Sequence, residues 1–115
     1  MHHIAIFTPN LENMQEFYLK LPGLYKLKQF YESDGRLRSV WLQQEGEKPI
    51  LMLERKPSSK AAGALIFSAK DGNGNWYNFK ELIQWIEHKT DYTFYFSDPD
   101  KNMIGYSSYP EKLPF

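Results

Sequence analysis

The chain has 115 residues and a mass of 13.6 kDa, with 14 Lys and Arg balanced by 14 Asp and Glu and a pI near 6.8. A chain of this length is expected to fold as one compact domain, residues 1–115, and its balanced charge excludes an overall field that would gather nucleic acid or an anionic membrane. The absence of cysteine excludes disulfides, thiol nucleophiles and thiolate metal sites, so any metal ligands must come from His, Asp and Glu.

The opening "HHIAIFT" is rich in β-branched and aromatic residues and predicts a strand buried on both faces. Its apolar run is too short for a signal peptide, and the chain has no membrane-length apolar run of about eighteen residues, so a cytoplasmic protein is expected. Beyond Pro9, Asn10 is placed to cap a helix over "LENMQEFYLKL", whose Leu11, Met14, Phe17, Tyr18 and Leu21 recur at helical spacing. Pro22 and Gly23 end it.

Three strands are expected next: "LYKLKQFYE", "RLRSVWLQQ" and "PILMLERK". Asp34-Gly35 between the first two is a two-residue hairpin signal, because Gly accepts positive φ. After the polar "KPSSKAAG" come a short strand, "ALIFSA", and the turn-rich "KDGNGNWYN". Asn78 with Glu81 resembles a capping box and predicts a second helix whose buried stripe is Phe79, Leu82, Ile83 and Ile86. Two strands, "YTFYFS" and "MIGYSSY", close the chain around "DPDKN". A strand-helix-strands pattern thus occurs twice, as in an internal duplication.

"HIAIFTPNLENMQEFYLKLPGL" and "FYFSDPDKNMIG", in this order around a duplicated plan, resemble the opening and closing segments of the vicinal-oxygen-chelate superfamily. That superfamily includes glyoxalase I, extradiol dioxygenases, and fosfomycin- and bleomycin-resistance proteins. The resemblance implies an α+β fold of two βαβββ-type modules, about residues 1–56 and 63–110, forming an open, curled mixed sheet with helices on the outside. Only one strand fits between His88 and Asp98, so the second module is expected to be shortened by about one strand. A homodimer is implied as well, with a cleft that in many members holds a divalent metal through His or Glu on the first and last strands of each module.

His3 matches the opening ligand of that pattern. "ILMLE" aligns in two registers, putting either Met52 or Glu54 at the second ligand, and both lie on one strand face. The third ligand falls on Gly63 or Ala64 and the fourth on Gly105, and none of these side chains can bind. A retained catalytic metal needs about three protein ligands, so no cofactor is expected, with His3 and Glu54 left as weak metal candidates and as catalytic acid or base candidates.

Arg36 and Arg38 share a strand face with Val40 and Leu42, while Ser39 and Trp41 take the other. Inward-facing arginines would grip a carboxylate or phosphate; in the other orientation Trp41 supplies a stacking wall. Arg38, Trp41, Tyr95 and Tyr106 are therefore the ligand-binding candidates. "DPDKN" lacks the further ligands of an EF-hand loop and is expected to be a β-turn held by Asp98, Asp100 and Asn102 side chains. The expected function is metal-free binding of a small molecule in an aromatic cleft. The alternatives are a lyase, isomerase or dioxygenase of the same superfamily, metal-dependent or metal-free, and a protein-interaction module.

Overall fold

A computed structural model describes residues 3–57 and 64–115. The chain divides into two compact units, Met1–Lys60 and Ala61–Phe115. Each builds a four-stranded mixed sheet, and the fold is α+β, as expected from two βαβββ-type modules.

The first unit runs β1 (His3–Thr8), α1 (Leu11–Leu19), β2 (Leu24–Tyr31), β3 (Leu37–Gln44) and β4 (Ile50–Arg55), in the spatial order β1-β4-β3-β2. β1 pairs parallel with β4, and the other pairs are antiparallel. Asn10 caps α1 as its short side chain predicts, Oδ1 accepting from Asn13 N at 3.3 Å. Leu11, Met14 and Tyr18 of α1 are fully buried, as are Val40, Leu42 and Leu53 of the strands on which α1 packs. Gly23, at φ 84°, turns the chain out of the helix in a conformation that costs glycine little.

Two local expectations change here. β1 alternates exposed and buried residues instead of being buried on both faces, because α1 covers only one side of the sheet. The turn at Asp34-Gly35 is a three-residue loop closed by Glu32 N donating to Arg36 O, with Gly35 at φ 90° and Asp34 Oδ1 accepting from Arg36 N.

The second unit repeats the topology with β5 (Ala64–Ser68), β6 (His88–Lys89), β7 (Thr93–Ser97) and β8 (Met103–Ser107), in the order β5-β8-β7-β6. β5 is parallel to β8, as β1 is to β4. The expected shortening falls on β6, which survives as two residues paired with Tyr95 and Phe94.

The second helix expected from Asn78 onward does not form; a single 3-10 turn, Leu82–Trp85, stands in its place. Asn78 Oδ1 accepts from Lys80 N, two residues on, which makes a local turn rather than a capping box. The segment is also short and carries Ile83, Trp85 and Ile86, residues that favour helix weakly, so the cost of nucleation is not recovered. Aromatic rings cover the sheet instead. Phe94, Phe96 and Tyr106 are fully buried and Phe79 nearly so. Phe79 lies 5.0 Å from both Phe94 and Tyr106, and Phe94 stacks on Tyr106 at 5.7 Å. Each such burial is worth roughly 1.5–3 kcal/mol.

The "DPDKN" turn is held by side chains as expected for Asp98 and Asn102, whereas Asp100 contributes its backbone N–H and its carboxylate Oδ2 is buried without a hydrogen-bond partner among the described residues. Asp98 Oδ1 accepts from Asp100 N at 2.9 Å and Asn102 N at 2.8 Å, and Oδ2 accepts from Asn102 Nδ2 at 2.7 Å.

Candidate functional site

The face of the first sheet opposite α1 carries the polar and aromatic side chains that α1 does not cover. Strand register assembles it: β4 aligns Glu54 with Ser39 of β3 and with Phe7 of β1, and Met52 with Trp41 and Ala5. Trp41 Nε1–H donates to Ser39 Oγ at 3.1 Å, and Ser39 Oγ–H donates to Glu54 Oε1 at 2.9 Å. This chain fixes the indole through a hydroxyl that is itself oriented by a carboxylate. Ser39 is only 2% exposed, so the relay is shielded from competing water.

Aromatic surface surrounds the relay. Phe30 of β2 pairs with Ser39 and packs its ring 5.2 Å from that of Trp41. Phe7, opposite Glu54, is 41% exposed, an open apolar ring beside a carboxylate. At the end of the strand Lys56 Nζ lies 5.8 Å over the Phe7 ring. On the neighbouring strand Tyr25 OH donates to Gln43 Oε1 at 2.7 Å, and Gln43 Nε2 donates to Lys48 O.

The orientation left open by the sequence is thereby decided: Val40 and Leu42 are buried on the α1 side, and Ser39 and Trp41 take the opposite face. Arg38 is exposed, with its guanidinium 5.7 Å over the Phe30 ring. Arg36 lies before β3, in the loop. Tyr95 and Tyr106 sit on opposite faces of the second sheet, since Tyr95 pairs with Gly105 and Tyr106 with Phe94. Tyr95 is half-buried and stacks on His88 at 5.7 Å. Tyr106 is wholly buried in the aromatic core, where burial pushes its phenol far above the ordinary range, with nearby Tyr77 adding to the shift. Arg38 and Trp41 therefore share the Phe30 neighbourhood, whereas Tyr106 belongs to a core.

The donor set for a divalent metal does not fit. Glu54 aligns with Phe7, four residues beyond His3 on parallel strands, which places the two about 13 Å apart along the sheet. Strand side chains stand nearly perpendicular to the sheet, so His3 and Glu54 do not converge on one ion. Met52 is closer to His3 in register, but a thioether is a poor ligand for a hard divalent cation. In the second unit Ala64 offers no donor, and Gly63 lies outside the described residues.

Gly105 is closed rather than merely bare: a Cβ there would lie 2.5 Å from Phe94 O, 3.2 Å from Tyr95 Cδ1 and 3.3 Å from Ile66 Cδ1. Among the described residues no three His, Asp or Glu side chains are grouped to hold a metal ion.

The sequence pattern alone does not mark Ser39, Phe7 and Phe30 as site residues. Two-residue alternation places Ser39 beside Trp41, but Phe7 and Glu54 join them only through strand register.

No protein-family model and no curated protein matches this chain. Solved structures do. An antibiotic-binding protein, TnmS3 from Streptomyces sp. CB03234, superposes with a TM-score of 0.66 at 19% identity, over 94% of this chain and 93% of its own. Lactoylglutathione lyase from Agrobacterium tumefaciens gives 0.64 at 18% identity, over 95% and 92%. A mutant of the fosfomycin resistance protein FosX from Listeria monocytogenes, complexed with Mn(II) and a dihydroxypropylphosphonic acid, gives 0.60 at 13% identity, over 94% and 90%. At these identities the likeness is one of fold.

Proposed function

We propose, from the premise that this chain has the fold of the vicinal-oxygen-chelate superfamily, that it binds a planar small molecule on the Trp41 face of its first sheet without a metal ion. The observation that carries the proposal is the Trp41–Ser39–Glu54 relay, which holds an indole ring in one orientation beside Phe30, with Phe7 next to Glu54 at the other end of the relay. A ring fixed before binding loses little freedom on binding, so stacking energy appears as affinity. The misfit of the metal donors supports the same reading, as does an antibiotic-binding protein among the structural neighbours.

Calorimetric titration of planar antibiotics and aromatic metabolites into protein stripped with a chelator tests it. At least one compound is expected to bind with unchanged affinity after chelation, and Trp41→Ala to weaken that binding at least tenfold, about 1.4 kcal/mol. Ser39→Ala, which frees the indole, is expected to weaken it by less. Binding that requires a stoichiometric divalent cation and disappears in His3→Ala would instead establish a metal-dependent site. Equal affinity in Trp41→Ala would remove the face from consideration.

A further inference from the structure

The missing second helix leaves a feature of its own on the second unit. Where chain 76–86 crosses the aromatic side of the sheet as turns, it borders a cleft of about 330 Å³ with Pro114 and Phe115. The volume is at the lower end of those that hold small organic ligands. It suits one or two fused rings.

The walls are aromatic and held in place from behind. Trp76 is bridged to Lys70 through the backbone, and Lys70 Nζ lies 4.7 Å from the Trp76 ring. Phe79 is 5% exposed and wedged among Phe94, Tyr106 and Phe115, at centroid distances of 5.0, 5.0 and 6.3 Å. Phe115 packs 5.5 Å from Phe94. Trp76 and Phe115 are half-buried and keep surface for stacking without having to be ordered first, while Phe79 backs them from the core.

Among the described residues, one charged side chain lines the cleft, that of Lys80, and no Asp or Glu does. Two other lysines nearby are engaged: Lys70 with Glu111, and Lys89 with Phe115 O at 2.7 Å. Lys80 forms no ion pair with any described residue. An ammonium at the rim of a low-polarity groove attracts a carboxylate more strongly than the same ammonium in open water, and the charge-assisted hydrogen bond adds direction.

We infer that this cleft is a second ligand site, taking a planar aromatic carboxylate whose ring lies among Trp76, Phe79 and Phe115 and whose carboxylate meets Lys80 Nζ. It is independent of the Trp41 face and would stand if that reading failed.

Titration of 2-naphthoate, with 2-naphthylmethanol as its uncharged counterpart, tests the inference by calorimetry and by NMR shifts of the indole N–H groups. The naphthoate is expected to bind at least fivefold more tightly than the alcohol, to shift Trp76 and to weaken as salt rises. Lys80→Gln is expected to erase the difference between the two probes, and Ile83→Glu, at a cleft-lining position 45% exposed, to abolish naphthoate binding at unchanged melting temperature. Trp41→Ala should leave the titration as it was. Equal binding of the two probes, indifference to Lys80→Gln, or no binding at millimolar concentration would overturn the inference. Naphthoate binding lost in Trp41→Ala but kept in Lys80→Gln would do so too, while supporting the first site.

Discussion

Gly105→Ala adds one methyl group at the strand position where the superfamily pattern expects a metal ligand. Its backbone needs no left-handed conformation, so any cost is one of space rather than φ. The added Cβ would stand 2.5 Å from the Phe94 carbonyl oxygen, against about 3.3–3.6 Å for the carbon–oxygen contacts that recur between strands. Roughly 1 Å of movement is therefore required between β7 and β8, and both strands carry the buried aromatic core on their other face. Overpacking of this kind costs about 1–3 kcal/mol. At roughly 4 °C per kcal/mol for a chain of this size, melting should fall by about 4–12 °C.

Denaturant unfolding read by circular dichroism gives the free energy directly. Ile66→Ala combined with Gly105→Ala is expected to recover only part of the loss, because the Ile66 contact at 3.3 Å is the softer one and the Phe94 carbonyl does not move with it. Gly105→Glu should be at least as destabilising and gain no divalent cation. Stability within about 0.5 kcal/mol of the parent for Gly105→Ala would show that the strand pair yields freely, and the account of a closed position would be wrong.

Arg55 lies in an ion pair with Glu12 of α1 and lowers the Glu12 carboxyl from its ordinary value of 4.5, chiefly through the side-chain hydrogen bond. A depressed folded value means that the unfolded chain binds the extra proton, so this stability is present above pH 4.5 and is lost as pH falls through the lower folded value. Glu12→Gln should therefore be less stable than the parent at pH 7, by a small amount because the carboxylate is 60% exposed, and the gap should close in acid; a gap that does not change with pH contradicts this. Tyr106 has a raised phenol value, so the unfolded chain ionises first and stability should fall as pH rises above about 10. Tyr106→Phe should remove part of that fall, and ultraviolet titration of the native protein should show one tyrosine ionising only on unfolding.

The parts of this protein that local chemistry governs were readable in advance. Asn10 as a cap, the Leu11–Met14–Tyr18 stripe and the self-bonded Asp98 turn each depend on residues within a few positions of one another, and each formed as expected. The second helix had the same local signals and did not form. Its stripe residue Phe79 is buried among aromatic rings from β7 and β8, which cover the sheet without a helix.

The candidate site depended on information of another range. Alternation along β3 put Ser39 beside Trp41 and Arg38 on the opposite side, but not which pair would face the helix. The partner of Ser39 is Glu54, fifteen positions away, and a one-residue slip in register would have sent that carboxylate to the other face.

By itself, then, the sequence determined the α+β plan with its successive strands and the cap of the first helix, because spacing and residue type carry those. Only the tertiary structure decided that Trp41 rather than Arg38 joins the Glu54 relay and that Gly105 has no room for a side chain. Both follow from pairing between strands, where position is set by the neighbour across the sheet and not by the next residue in the chain.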